Sequence, residues 1–180
     1  MAHVLTIGHS NRPWTVFLSL LRAHAVARVV DVRTVPRSRY NPRFNREVLR
    51  DALAEEGVQY THLPSLGGLR KPRADSRNTG WRNDSFRGYA DYMETPQFEE
   101  ALAQLIALAG SSLSAVMCAE SVPWRCHRSL IADALTARGV AVDHILAESR
   151  PQRHSLAEFA HIEGGRVYYP GKQPELGFGE

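Results

Sequence analysis

The stretch from Ala115 to Asp133 passes from a strand pattern into a helix pattern, and polar side chains occupy the passage between them. Its first residues are apolar, which is typical of a buried strand, and the apolar residues from Leu130 to Leu135 recur at helical spacing. Open α/β sheets bind ligands outside the carboxyl ends of their strands, and a helix N-terminus favours an anion. The stretch therefore predicts a ligand site where this strand ends.

The rest of the chain repeats the alternation of strand and helix patterns. Further strands are predicted at residues 4–8, 26–32, 58–63 and 140–146. Further helices are predicted at residues 14–24, 46–56, 86–93 and 97–109, the second capped by Asn45 and the last by Thr95. Such repeats imply right-handed parallel crossovers. The predicted fold class is α/β: a single three-layer α/β/α domain with a mainly parallel sheet of about five strands.

The pattern weakens near the C-terminus, which divides the chain into two predicted parts. Residues 1–150 form the α/β core domain, and residues 151–180 form an extension that packs on the core or is partly loose. Within the extension, His154 to His161 is predicted to add one or two helical turns, and Val167 to Pro170 an edge strand. The last ten residues are expected to be loosely held.

Composition places the chain among soluble globular proteins, with 43% hydrophobic and 23% charged residues in a length of 180. No apolar run approaches the roughly 20 residues that span a bilayer, and no signal peptide pattern opens the sequence. The chain holds 2 cysteines, whereas a secreted scaffold usually carries more. We therefore expect a cytoplasmic protein without membrane contact.

Arginine supplies nearly all of the positive charge, since Lys71 and Lys172 are the only lysines. Arginines gather at residues 33–50 and 70–87, and Arg37 and Arg39 lie close to aromatic residues in the first cluster. Planar guanidinium groups suit phosphate or carboxylate, and aromatic neighbours suit base stacking. The clusters predict an anionic partner, a phosphate-bearing small molecule or nucleic acid. Alternatively, the arginines are an ordinary solvated surface, and the aromatic residues of this loop pack against the loop itself.

Two predicted strands end in side chains suited to chemistry. His9, Ser10 and Asn11 follow the first strand, where a histidine serves acid–base chemistry and Ser or Asn either binds substrate or caps the next helix. Asp31 and Arg33 end the second strand, where charges are costly unless paired. A structural ion pair and a catalytic role both remain open for these two residues.

The loop from Pro64 to Trp81 is long and irregular, which is typical of functional or mobile segments. Gly67 and Gly68 would let a ligand approach the backbone closely, although no phosphate-loop motif is present. We expect this loop to form a lid or substrate wall, with Tyr89 and Tyr92 lining it.

Cys118 and Cys126 admit three interpretations. Their spacing does not match a zinc motif, so no metal site is predicted. Cys118 extends an apolar strand and is interpreted mainly as a buried residue, because the spacing to Arg125 does not match the Cys-x5-Arg pattern of thiol phosphatases. Cys126, with His127 and Arg128, is the stronger functional candidate. Nucleophilic thiol chemistry remains the third interpretation.

Several of these segments together resemble a family of uncharacterised bacterial proteins called domain of unknown function 488. The matching pieces are Thr6–Ser10, Val30–Arg33, Pro36–Ser38, Leu63–Gly68, Phe86–Met93, and Cys118–Glu120 followed by Cys126–Arg128. The resemblance covers most of the chain and implies a compact α/β fold. It implies no activity, because none is assigned to that family.

The function favoured by these residues is an enzyme that binds a phosphate-bearing substrate and performs hydrolysis or transfer without an organic cofactor. The catalytic candidates are His9, Asp31, Glu120, Cys126 and His127, with Glu120 either a general base or a neutralising partner of an arginine. The substrate-binding candidates are Ser10, Asn11, Arg33, Arg37, Arg39, Gly67, Gly68, Tyr89, Tyr92, Arg125 and Arg128. A non-catalytic nucleotide or nucleic-acid binding module is the first alternative, and cysteine-based thiol chemistry is the second.

Overall fold

A six-stranded sheet forms the centre of the computed structural model, which describes residues 2–172. The strands are β1 (His3–Gly8), β2 (Arg28–Asp31), β3 (Gln59–His62), β4 (Ser114–Cys118), β5 (Ala141–His144) and β6 (Gln152–Arg153). Their order is β3-β2-β4-β1-β5-β6, and only β6 pairs antiparallel within this sheet. The predicted sheet of about five parallel strands is confirmed, with one short antiparallel strand added at its edge.

Helices cover both faces of the sheet, which confirms the three-layer α/β/α domain. They are α1 (Trp14–Ala23), α2 (Arg46–Glu55), α3 (Asp84–Tyr92), α4 (Pro96–Ser111) and α5 (Arg128–Ala137). The apolar residues of α1 and α2 belong to one core cluster, and those of α3, α4 and α5 belong to another. None of the helices within residues 2–172 combines the length and the apolar character that a membrane span requires.

The sheet reverses its order of connection between β1 and β4. From β1 the chain crosses to β2 on one side, and from β4 it crosses to β5 on the other, so α1 and α5 lie on opposite faces. Gly8 and Cys118 are paired in register at the carboxyl ends of these two strands. A reversal of this kind opens a crevice at the carboxyl edge, which is the usual ligand position in open α/β sheets.

The two predicted helix caps differ in outcome. Thr95 accepts a hydrogen bond from the backbone N–H of Phe98, which confirms its role as the cap of α4. Asn45 stands at the N-cap position of α2, but its side chain accepts a hydrogen bond from the backbone N–H of Ser38 instead. The Asn45 amide therefore fixes the arginine-rich loop rather than the helix.

The C-terminal segment is where the predicted secondary structure is wrong. The helical turns predicted for His154 to His161 are absent, and the backbone instead forms the hairpin of β7 (His161–Glu163) and β8 (Arg166–Tyr168). The predicted edge strand is present in β8, but it pairs with β7 and not with the central sheet. Residues 173–180, most of the segment expected to be loose, lie outside the described part.

A chain of buried hydrogen bonds ties this segment to the core. His154 donates from Nε2 to Asp133 on α5 (2.7 Å), and Tyr169 donates its hydroxyl to the other oxygen of the same carboxylate (2.7 Å). His144 Nε2 lies 2.8 Å from Nδ1 of His154, and its Nδ1 lies 2.6 Å from the Thr6 hydroxyl. Because Asp133 accepts from His154, the proton of each neutral imidazole lies on Nε2. His144 then donates to Nδ1 of His154, and the Thr6 hydroxyl donates to Nδ1 of His144.

We predict that this network makes the protein less stable in mild acid. Burial lowers the pKa of His144 from 6.5 to about 3, so the unfolded chain takes up a proton there at a pH where the folded chain does not. The stability contributed by this residue is present above pH 6.5 and is lost as pH falls toward 3, at about 1.4 kcal/mol per pH unit. Urea unfolding between pH 7 and 5 gives the slope of the free energy of unfolding against pH. This slope should be smaller in His144→Asn than in the wild type, by the equivalent of one proton. The exposed His161→Asn is the matched control, and an unchanged slope in His144→Asn would contradict the prediction.

Candidate active site at the carboxyl edge

A cleft of about 460 Å³ opens at the carboxyl ends of β2 and β4. Its residues come from the loops that follow these strands, from the loop after β3, and from the segments that begin α3 and α5. They are Arg33, Thr34, Val35, Arg37, Gly68, Leu69, Ser85, Phe86, Tyr89, Cys118, Ala119, Glu120, Arg125, Cys126 and His127. The cleft therefore lies where the strand-to-helix stretch of the sequence predicts a ligand site.

Both cysteines reach this cleft and contact each other. Cys118 is the last residue of β4, and Cys126 lies two residues before α5 begins, so the turn between them folds one thiol onto the other. Their Sγ atoms are 2.8 Å apart, with Cys126 donating to Cys118. The guanidinium of Arg128 donates from Nη1 to the same Cys118 sulfur at 3.1 Å. Cys118 thus accepts two hydrogen bonds that stabilise a thiolate.

These contacts separate the pKa values of the two thiols. Burial alone would raise the pKa of Cys118, but the hydrogen bond from Cys126 and the charge of Arg128 outweigh burial and lower it from 9.0 to about 7. Donation to Cys118 and burial raise the pKa of Cys126. Loss of the first proton from the pair therefore leaves the negative charge on Cys118 and the remaining proton on Cys126.

Arg128, predicted to hold a substrate anion, has no exposed surface. Besides Cys118, its guanidinium donates to the backbone carbonyls of Glu120 (2.8 Å) and Ser121 (3.1 Å). It does not line the cleft. In this geometry the guanidinium of Arg128 contacts the Cys118 sulfur and the loop after β4, and it does not reach the cleft surface.

The ion pair expected between Asp31 and Arg33 is present and buried. Arg33 donates from Nε (2.9 Å) and Nη2 (2.7 Å) to the two oxygens of Asp31, which also accepts from the hydroxyl of Tyr60. Arg33 further donates to the carbonyl of Phe44 at 2.7 Å. Asp31 is completely buried, and only the edge of Arg33 reaches the cleft. The pair fixes the start of the arginine-rich loop.

His9 lies behind the cleft wall and not on it. Its Nδ1 donates to the carbonyl of Ser10 (2.8 Å), its Nε2 accepts from Arg33 (3.3 Å), and its ring stacks on Phe44. Burial lowers the pKa of His9 to about 4. A neutral, fully engaged imidazole of this kind holds β1 against the loop after β2, and it has no nitrogen left for a substrate.

His127, Gly68 and Tyr89 form one packed wall of the cleft. Burial lowers the pKa of His127 to about 4, and its ring lies 4.9 Å from that of Tyr89. A Cβ on Gly68 would lie 3.0 Å from Nδ1 of His127, and one on Gly67 would lie 2.3 Å from the hydroxyl of Thr34. The two glycines are therefore needed for close packing of the protein itself.

Three exposed charged side chains line the cleft, namely Arg37, Glu120 and Arg125. Within residues 2–172, neither guanidinium group forms a side-chain hydrogen bond or an ion pair, and the Glu120 carboxylate forms none either. These are the charges in the cleft that a ligand can reach. Glu120 is the only carboxylate among the described lining residues.

Six predicted substrate-binding residues lie outside the cleft lining: Ser10, Asn11, Arg39, Gly67, Tyr92 and Arg128. Ser10 extends the β1–β4 pairing through its backbone N–H, which donates to the carbonyl of Ala119. Tyr92 lies under the guanidinium of Arg70 at 3.7 Å and donates its hydroxyl to the carbonyl of Ser65. The structure brings the remaining candidates to the cleft or to the layer directly behind it.

The loop from Pro64 to Trp81, predicted as lid or wall, is anchored to α3. Asp91 accepts hydrogen bonds from the backbone N–H of Arg73 and from the side chains of Ser76 and Asn78. These bonds outweigh burial and lower the pKa of Asp91. Of residues 64–81, Gly68 and Leu69 line the cleft. The geometry is that of a fixed wall.

A second cleft, of about 280 Å³, lies on the other side of the segment that precedes α5. His144, His154 and Asp133 line it, together with Trp81 and Trp124. All four ring nitrogens of the two histidines are engaged within the network described above. This cleft shares no lining residue with the first and offers no unpaired imidazole, so the first cleft is the candidate site.

The family model described as Domain of unknown function DUF488 matches residues 13–135, more than half of the chain. The chain belongs to this family. No curated protein and no solved structure gives a significant match. The matched range of the DUF488 protein contains both cysteines, Arg128 and the exposed arginines of the cleft, whereas His9, His144 and His154 lie outside it.

Cys118, interpreted from the sequence mainly as a buried residue, also lines the cleft of this DUF488 protein. It belongs to the apolar core cluster, as predicted, and it also forms the floor of the cleft. The signal was its position as the last residue of a strand, combined with a second cysteine two residues before the next helix. In the described part of the chain, no three His, Cys, Asp or Glu side chains converge to hold a metal ion.

We predict that Gly8 of the DUF488 protein cannot carry a side chain. A Cβ there would lie 1.7 Å from the carbonyl oxygen of Glu120, so the loop after β4 would have to move. Gly8→Ala should lower the free energy of unfolding by about 1–3 kcal/mol, as overpacking does. Gly110→Ala is the matched control because open space surrounds that site, and alanine should stabilise α4 by about 1 kcal/mol. Urea unfolding tests both, and equal effects of the two variants would contradict the prediction.

Proposed function

We propose that this protein is an enzyme in which the thiolate of Cys118 acts as nucleophile on a phosphate-bearing substrate bound in the carboxyl-edge cleft. The observation that carries the proposal is the position of the Cys118 sulfur, which lies on the cleft floor and accepts hydrogen bonds from Cys126 and Arg128. Thiolates held by neighbouring cations and donors are the reactive form of cysteine.

Charge at the cleft mouth supports the choice of substrate. Arg37 and Arg125 come from two different loops and project into one cleft, where neither is paired with a carboxylate of the described residues. Guanidinium groups bind phosphate oxygens through paired hydrogen bonds. The buried arginines, Arg33 and Arg128, are engaged with protein groups and serve to position the site.

The reaction class is transfer or hydrolysis through a covalent intermediate. A bond forms between the Cys118 sulfur and the electrophilic atom of the substrate, and the bond to the leaving group breaks with its electron pair. Glu120, as the lining carboxylate, relays the proton that the leaving group takes up from water. Attack by water or an acceptor then releases the thiolate. The chemistry needs a reduced thiol, which fits a reducing compartment such as the bacterial cytoplasm.

Binding is tested by thermal shift with inorganic phosphate, pyrophosphate, adenosine triphosphate and a short single-stranded oligonucleotide at low salt. A ligand present at a hundred times its Kd adds about 2.7 kcal/mol of stability, so Tm should rise. The rise should disappear in the Arg37→Ala/Arg125→Ala double variant. Arg150→Ala, an exposed arginine outside the cleft, is the matched control. The binding proposal fails if the double variant responds like the control.

The nucleophile is tested by the rate of alkylation with iodoacetamide as a function of pH. The rate should follow a single titration with an apparent pKa of about 7, and it should vanish in Cys118→Ser. Cys126→Ala removes the hydrogen bond to the thiolate, so the apparent pKa should move upward toward 9.0. A wild-type profile that already titrates near 9 would exclude Cys118 as an activated nucleophile.

A non-catalytic nucleic-acid module is the second candidate, favoured by one observation outside the cleft. Tyr40 is 90% exposed, and the exposed Arg39 and Arg43 are close to it in sequence. An exposed ring between arginines suits stacking on a base with contacts to phosphate. In the thermal-shift panel, a response to the oligonucleotide alone that is lost in Arg39→Ala/Arg43→Ala would favour this function over the enzyme.

A further inference from the structure

The second cysteine has no role in the nucleophilic step beyond donating one hydrogen bond, yet its position is unusual for a buried thiol. Its sulfur is 2.8 Å from Cys118 and also lies 3.5 Å from the backbone N–H of Arg128 at the start of α5. A disulfide bond is about 2.05 Å long, so the two sulfur atoms need to approach by less than about 1 Å to bond.

We propose that Cys118 and Cys126 form a reactive dithiol that reduces hydrogen peroxide or a small organic hydroperoxide and closes to a reversible disulfide. This proposal rests on the same thiolate as the proposed function, but it needs neither the exposed arginines nor a phosphate-bearing substrate. Hydroperoxides are small enough to reach the Cys118 sulfur from the cleft that it lines.

The reaction has two steps. In the first, the Cys118 thiolate attacks one peroxide oxygen; an S–O bond forms, the O–O bond breaks, and hydroxide leaves and takes up a proton as water. In the second, the Cys126 sulfur gives up its proton and attacks the sulfenic sulfur of Cys118; an S–S bond forms and the S–O bond breaks, releasing a second water. In total, two thiols and one hydrogen peroxide give one disulfide and two waters. An external dithiol restores the reduced pair.

The surroundings assign the two cysteines different parts in this sequence. Arg128 stabilises charge on Cys118, which makes it the attacking sulfur. Cys126 remains protonated beside it, so a thiol is in place as soon as the sulfenic acid forms. Both residues are buried, at 2% and 8% exposure, which favours the internal partner over a thiol from solution. The bond, once formed, removes the nucleophile of the proposed enzyme.

The experiment treats the reduced full-length protein with one equivalent of hydrogen peroxide, then denatures it and blocks the remaining thiols before intact-mass analysis. Wild type should lose two hydrogen atoms in mass and take up no blocking group, and dithiothreitol should reverse both changes. Cys126→Ser should stop at the Cys118 sulfenic acid, which dimedone traps, and should advance to the sulfinic acid with excess peroxide. In Cys118→Ser the rate of thiol loss should fall at least about tenfold.

The opposite results would overturn the inference. The first is that dimedone traps a sulfenic acid as readily in the wild type as in Cys126→Ser. The second is that Cys118→Ser loses thiols as fast as the wild type, and the third is that no disulfide forms. Because the readout is the mass of the protein, it is independent of the phosphate binding tested above. A disulfide without phosphate binding would leave this inference standing and refute the proposed function, and phosphate binding without a disulfide would do the reverse.

Discussion

The buried guanidinium of Arg128 is the interaction on which the rest of the site depends. A positive charge without solvent contact is costly unless it is matched by hydrogen bonds and by an opposite charge. Here the loop after β4 supplies two carbonyls and Cys118 supplies the sulfur, whose thiolate form compensates the charge. The same side chain thus sets the course of the loop, favours ionisation of one cysteine and fixes the start of α5.

The cleft separates its arginines into two groups by depth. Arg33 and Arg128 are buried and donate to protein groups, with Nε of Arg128 left without a partner among the described residues, whereas Arg37 and Arg125 are exposed and face the opening. Arg128 acts on the Cys118 sulfur, and Arg37 and Arg125 face an incoming ligand. The buried His9 and His144 and the half-buried His127, whose pKa values desolvation lowers, add no positive charge at neutral pH.

Much of the fold could be predicted from the sequence, because hydrophobic periodicity reports local structure directly. The five parallel strands and five helices follow from it, and so does the position of the cleft at the ends of β2 and β4. The hairpin after His154 could not be predicted, since it depends on the contact of Tyr169 with Asp133, 36 residues away. The contacts of Arg128 and His9 with protein groups could not be predicted either. A sequence shows which polar side chains exist but not which carbonyl groups surround them.

The anchoring of residues 64–81 on Asp91 has a thermodynamic consequence for any ligand. Because one carboxylate on α3 accepts hydrogen bonds from three positions of the loop, the loop and the helix behave as a single body. The position of this cleft wall is then set by the packing of α3 against α5 and not by closure around a ligand. Ligand binding would therefore carry little entropy cost for ordering this wall. The affinity would reflect the contacts of the ligand more directly than in a site whose walls become ordered only on binding.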